Sequence, residues 1–259
     1  MKVYVLLVLL TILIGGCYLF FYPGEYEDLL SSRDNRRSAG GSTGGLTLES
    51  GVYVSTYGND TNNGLTKTSP VKSIQKAISI AVSNNLTYIY LSTGVYTQGN
   101  GLNTETSGVV ITNDGIKIIG GFDESFSSIV GYSELDGGGS LIHIILAMNV
   151  SNVVIRNLVV RGGNANGDGI TNECGGGIYF ERVTHSLVSN VVLSNNSANN
   201  GGGGIFLNSS SKNILIITAV SNRADYGGGV YLFNNSVSNL VRGIVSRNFA
   251  SANGGGFTI

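Results

Sequence analysis

A glycine run followed by alternating residues recurs near the C-terminus. The copies are Gly175-Gly176-Gly177-Ile178-Tyr179-Phe180, Gly202-Gly203-Gly204-Ile205-Phe206-Leu207 and Gly227-Gly228-Gly229-Val230-Tyr231-Leu232, and a fourth opens at Gly254-Gly255-Gly256-Phe257. The residue after each run falls at 178, 205, 230 and 257, a period of 27, 25 and 27 residues. Such a period marks stacked supersecondary units, each burying its apolar side against its neighbours. A second anchor follows the first: Leu193, Val220 and Val245 come 15 residues after Ile178, Ile205 and Val230. Between the anchors, apolar and polar residues alternate, as in Val188-Ser189-Asn190-Val191, and period-two alternation is the strand signal. Gly, Asn, Ser and β-branched residues dominate, and all are poor in helix interiors.

An earlier copy obeys the same rule. Ile155-Arg156-Asn157-Leu158-Val159-Val160 aligns with Val188 to Leu193 at a shift of 33, the excess lying in a lengthened loop from Asn164 to Cys174. Asn157 and Asn190 share one register, where Asn tolerates a left-handed corner and amides can bond from repeat to repeat. Short strands joined by Gly and Asn corners predict a parallel β-helix. The inward columns are expected to be Ile178, Ile205, Val230 and Phe257 on one strand, and Leu193, Val220 and Val245 on another.

The chain has 259 residues, 12% of them charged, no Trp and a net charge of −1. Nothing in that balance favours nucleic acid as a partner. An apolar fraction of 42% separates the glycine-rich region from a disordered linker.

Residues 1–22 read as a signal peptide with a lipobox or as a membrane anchor. Lys2 precedes an apolar run, and Gly15-Gly16-Cys17 resembles a bacterial lipobox, which makes Cys17 the lipidation candidate. Counted through Tyr22, the run is also long enough to span a bilayer. Both readings attach the protein to a membrane through its N-terminus and place it outside the cytoplasm, at the cell surface or outer membrane of a bacterium. Residues 23–50 read as a flexible linker, in which Arg33, Arg36 and Arg37 are solvated charges. Residues 51–259 form the β-helix, and the strand broken off at Ile259 predicts further chain beyond it. Cys17 and Cys174 offer no disulfide framework. Cys174, on the long loop, is expected to be exposed but not activated.

Before the repeats, Val52 to Ser55 reads as a strand and Gly58 to Gly64 as a polar loop. Ser69-Pro70 reads as a helix start, with Ile74, Ala77, Ile78, Ala81 and Val82 on one apolar face. An open β-helix end exposes core and unpaired backbone, so this helix is expected to cap it.

The order of phrases resembles the right-handed parallel β-helix (pectate-lyase-like) superfamily. The phrases are Tyr53-Val54-Ser55, Gly58-Asn59-Asp60, Pro70 to Ile78, Ile89 to Thr97, Ile118 to Asp123, Leu135 to Gly139 and Val160 to Ala165. The repeats resemble those of chlamydial polymorphic outer membrane proteins, with Leu193-x-x-Asn196 and Val245-x-x-Asn248 as the second phrase and Arg223 in place of Asn in the middle copy. The fold class that the resemblance implies is all-β, a right-handed parallel β-helix (solenoid) with an N-terminal capping α-helix.

Lyases of this superfamily hold Ca²⁺ with carboxylates from neighbouring repeats. Asp168, Glu173 and Asp225 are the carboxylate candidates, with the two Asp residues expected in loops of different repeats, and Glu181 lies beside Arg182. Arg156 and Arg161, on the outward side of one strand, read as solvated strand-face charges; in an enzyme they could instead pair with uronate carboxylates. Asp60-x-Asn62-Asn63-Gly64 misses the EF-hand spacing by one residue and reads as a turn. His143 reads as a strand residue and His185 as a turn residue, both structural. The expected function is surface display: adhesion, or binding of polysaccharide or a host or cell-surface protein. The alternatives are an extracellular polysaccharide lyase or hydrolase, Ca²⁺-dependent if a lyase, and a piece of a larger autotransported or outer membrane protein.

Overall fold

The computed structural model describes residues 47–259. Segment 1–22 with Cys17, and linker residues 23–46, lie outside the described residues.

Parallel strands dominate. A 13-stranded sheet has a main path through Gly51–Val54, Tyr88–Ser92, Lys117–Phe122, Val154–Ala165, Leu187–Ser194, Ile214–Val220 and Leu240–Ser246. A six-stranded sheet holds Ser107–Ile111, His143–Met148, Ile178–Glu181, Ile205–Asn208, Val230–Phe233 and Phe257–Thr258. A shorter ladder joins the end of Val154–Ala165 to Ser197–Ala198, Arg223–Tyr226 and Phe249–Asn253. From residue 178 onward the chain visits the six-stranded sheet, the main path and the short ladder in turn. This all-β parallel arrangement is consistent with a β-helix.

The first expected column forms and extends further back. Val109, Ile145, Ile178, Ile205, Val230 and Phe257 are successive partners across the six-stranded sheet. The first five are fully buried. Each such side chain stabilises by roughly 1.5–3 kcal/mol relative to exposure.

The second column differs by one residue. Leu193 pairs with Ala219, and Ala219 with Val245; Val220 pairs instead with Ser194 and Ser246 and is half-buried. The 15-residue offset is therefore not a constant of the fold. Asn190 is an extra residue in its strand, since the register shifts between Ser189 and Val191. After Val230–Phe233 the turn carries two left-handed residues, Asn234 and Asn235, where Arg182 and Ser209 serve singly in the preceding turns. Two insertions of different origin lengthen the arc between the anchors equally, to 15 residues in two repeats, and the middle repeat, with neither, has an arc one residue shorter, from Ile205 to Ala219.

The corners recur at fixed places. Asn152, His185, Lys212 and Ser238 all have positive φ, as do Gly162, Asn195, Ser221 and Arg247. The glycine triplet combines two requirements. Gly202 sits at φ 63°, whereas a Cβ on Gly203 or Gly204 would come within 2.3 Å of the Arg223 carbonyl or 2.5 Å of the Gly229 carbonyl in the following repeat.

Amide ladders run along the stack. The Asn222 Oδ1 accepts the backbone N–H and the Nδ2 of Asn196, both at 3.0 Å, and Asn248 does the same for Asn222. Each Nδ2 also donates to a backbone carbonyl of the preceding repeat: Val160, Leu193 and Ala219 respectively. The middle copy thus carries Asn222 in the phrase where the sequence alignment set Arg223. Asn213 and Asn239 form a second ladder, and the Asn190 Nδ2 donates to the Asn157 Oδ1 at 2.9 Å. Both Asn157 and Asn190 are left-handed, as expected.

The helix spans Ile74–Ser83 with Ser73 as N-cap, so it begins four residues after Pro70. Val71 bridges to Val54 instead, and the Asp60 carboxylate accepts the N–H groups of Lys72 and Ser73 and the Ser73 hydroxyl. Ile74, Ala77, Ile78 and Ala81 are buried, whereas Val82 is 41% exposed, off the expected face. Gln75 donates to the Val110 carbonyl at 3.1 Å and accepts the Val110 N–H at 2.9 Å. A side-chain amide thereby pairs with the edge strand of the six-stranded sheet, where backbone would otherwise stand unpaired.

Candidate functional site

The repeat phrase places one residue of each copy on the outward side of the six-stranded sheet. Leu146, Tyr179, Phe206, Tyr231 and Thr258 are successive partners in that column. Tyr179 and Phe206 are nevertheless fully buried, because Cys174, at the end of the lengthened loop, packs against them. Ring centroids lie 5.3 Å apart from Tyr179 to Phe206 and from Phe206 to Tyr231. The stripe continues outward: Phe233 stacks 5.9 Å from Phe206, and Tyr226 lies 6.2 Å from Tyr231. Phe233 and Tyr226 are 36% and 37% exposed, so the stripe runs from a covered end to an open one.

A polar cluster borders the covered end. Glu181, only 8% exposed, accepts the Tyr179 hydroxyl at 2.9 Å and the Asn208 Nδ2 at 2.8 Å on one oxygen, and the Arg182 guanidinium on the other. The Arg182 Nε donates to the Asn149 Oδ1 at 2.6 Å. Both carboxylate oxygens are therefore occupied, which suits Glu181 to positioning rather than to proton transfer. Burial pushes the Tyr179 hydroxyl up to about 12, so it stays a neutral donor. Aromatic faces beside fixed amides can stack on apolar ligand surfaces and accept or donate hydrogen bonds at their rims.

The sequence-named residues scatter around this face. Arg161 is engaged by two carboxylates of Ser133–Leu141: it pairs with Glu134, and its Nη2 lies 2.8 Å from Asp136. The hydrogen bond to Glu134 raises its pKa further. Its charge is thus matched within the fold rather than held ready for a uronate. The Arg156 Nε donates to the Ser189 hydroxyl at 3.0 Å. Both Arg residues face outward although five positions apart, because left-handed Asn157 resets the alternation between them.

Asp168 is exposed before the short helix Ile170–Glu173, and Glu173 ends that helix. Asp225 lies in the strand Arg223–Tyr226, not in a loop, and accepts the Ser251 hydroxyl. Among the described residues no group of three or more His, Cys, Asp and Glu is placed to hold a metal ion. The Asp60 loop spends its oxygens on its own backbone: besides Asp60, Asn59 accepts the Thr61 N–H and Asn63 the Leu65 N–H, both at 3.0 Å.

Cys174 is buried, contrary to the expectation of exposure, and burial pushes its thiol up to about 12. It lies against the aromatic column because the loop folds back over the sheet. His143 is buried in the strand His143–Met148, with Nδ1 2.9 Å from the Gly175 carbonyl, and burial lowers its pKa. His185 occupies an exposed left-handed corner. The aromatic stripe itself escaped the sequence reading. Its signal was present as the middle residue of each phrase, Tyr179, Phe206 and Tyr231, flanked on both sides by inward apolar residues.

No protein-family model, curated protein or solved structure matches the chain. Among the described residues no helix is long and apolar enough to cross a membrane.

Proposed function

We propose that residues 51–259 wind as a right-handed parallel β-helix of the pectate-lyase-like type, capped by the helix Ile74–Ser83. On this reading the chain is a membrane-anchored, extracytoplasmic binding protein that recognises glycan or protein along an exposed sheet. The quoted sequence phrases and the three ladders visited once per repeat support the architecture. The open part of the stripe, Tyr231 with Phe233 and Tyr226 beside it, carries the binding reading. Rings spaced along parallel strands present a row of stacking surfaces to an extended ligand, and the anchor keeps that row at the cell surface.

Two measurements test the proposal. Protease shaving of intact cells should release peptides from 51–259; full protection would remove the display reading. A glycan and matrix-protein panel should give ligands whose binding falls about two- to tenfold in Tyr231→Ala and Phe233→Ala, the worth of one aromatic contact. Unchanged binding in both variants would remove the stripe as the site. Release of unsaturated products or new reducing ends from pectin- or alginate-like polymers would favour the enzyme reading instead.

A further inference from the structure

A shallow cavity of about 350 Å³ lies away from the aromatic stripe, lined by Thr56, Tyr57, Thr93, Gly94, Val95, Asn100 and Glu124. Its volume suits one or two hexose rings, at the small end of ligand pockets. Four observations single it out. The Asn100 Oδ1 is buried with no hydrogen-bond partner, one of two such side-chain atoms among the described residues. Buried acceptors in native proteins are nearly always satisfied, so an orphan on a residue that lines a cavity points to a donor from outside, met when the Asn100 amide turns toward the cavity. Tyr57 is 84% exposed, more than any other large apolar or aromatic side chain described. Glu124 forms no ion pair among the described residues, and it is the one charged residue in the lining. Finally, Gly94 sits at φ 140° beside Thr56, where a Cβ would come within 3.0 Å of the Thr56 side chain.

The lining therefore offers an uncovered ring, two threonine hydroxyls, an unpartnered amide oxygen and one carboxylate. It offers no cationic side chain. A ligand that matches must bring several donors, an apolar face and no negative charge. We infer that this cavity binds a hexosamine unit: the C–H face of the sugar on Tyr57, its hydroxyls on Thr56, Thr93 and Asn100, and its ammonium beside Glu124. Uronates are disfavoured because their carboxylate would face Glu124 without a counter-charge. The inference stands on the cavity alone, so its failure leaves the reading of the aromatic stripe untouched, and the reverse.

The test uses the full chain, in detergent micelles, titrated with methyl β-D-glucosaminide, methyl β-D-glucoside and methyl β-D-glucuronide by saturation-transfer NMR. The expected order of affinity is glucosaminide, glucoside, glucuronide. Glu124→Gln should remove a preference of about two- to fivefold for the glucosaminide over the glucoside, the worth of an exposed ion pair. Tyr57→Ala should weaken all three about two- to tenfold. Both positions are exposed, and unchanged thermal midpoints should show that the variants fold. Tyr231→Ala should leave these titrations unchanged. Equal binding of the three sugars, preference for the glucuronide, no binding at millimolar sugar, or insensitivity to both substitutions would each overturn the inference.

Discussion

Single residues in this protein are fixed by hydrogen bonds and burial whose effects can be measured. Burial alone would raise the Asp60 pKa, but bonds from Ser73 and Lys72, with Lys76 nearby, lower it below the ordinary carboxylate value. A depressed folded pKa means that the native chain binds fewer protons than the unfolded chain through the acid range. The stabilisation is therefore complete above the unfolded value of about 4 and fades as pH falls through the folded one. Asp60→Asn should cost about 1 kcal/mol at neutral pH, discounted for solvent screening, and the gap to wild type should close below about pH 4. Urea titrations at several pH values measure this; a gap independent of pH would refute it. Cys174 makes a second residue-scale prediction. With its thiol buried and pushed up to about 12, it should resist alkylation at pH 8 in the native protein and react once the chain is unfolded. Rapid native labelling would show that the loop does not stay packed on Tyr179 and Phe206.

At the scale of strands, register decides which side chain meets the core. Ala219 is the inward partner of Leu193 and Val245, while Val220 faces away at half-burial. Ala219→Lys buries an unpaired charge and should unfold the central repeats or cost several kcal/mol. Val220→Lys should stay within about 1 kcal/mol of wild type. Circular dichroism and chemical denaturation separate the two, and the reverse order would restore the register of the uncorrected alignment. The same one-residue difference explains the amide ladder. Asn222 meets Asn196 and Asn248 because Ile214–Val220 lacks the extra residue that Asn190 adds to Leu187–Ser194. Pairing of amides between repeats matters as much as apolar stacking, since an Asn in a buried column without its neighbour leaves several polar groups unsatisfied.

For the molecule as a whole, stability should vary along the stack, because each repeat meets mainly its neighbours. Leu187–Ser194 is flanked on both sides by parallel strands and mostly buried, whereas Leu240–Ser246 is mostly exposed. Amide exchange should be slowest in Leu187–Ser194 and fastest, among the strands of the main path, in Leu240–Ser246. Uniform protection would indicate one cooperative unit instead. The exposed apolar residues concentrate at the same end, with Ile244, Phe249 and Phe257 among them, and the open part of the aromatic stripe lies nearby.

The glycine period, the alternation of Ile178-Tyr179-Phe180 and its copies, and the apolar spacing from Ile74 to Ala81 made strands, repeat and helix readable from the chain alone. Those are local patterns, and local conformation follows from local side-chain chemistry. Ala219 and Asn222 were not readable: two insertions of different kinds, Asn190 in a strand and the doubled corner at Asn234 and Asn235, give equal lengths in sequence and cancel only when hydrogen bonds between repeats set the register. Arg161 shows the same divide, because its partners Glu134 and Asp136 come from a strand more than twenty residues earlier. The burial of Cys174 and the orphaned oxygen of Asn100 likewise depend on how loops fold back onto the sheets. What this sequence settles by itself is the rhythm of strand and corner. Which side chains touch was decided only by the tertiary structure, because contact between repeats is a relation among distant segments that spacing along the chain does not encode.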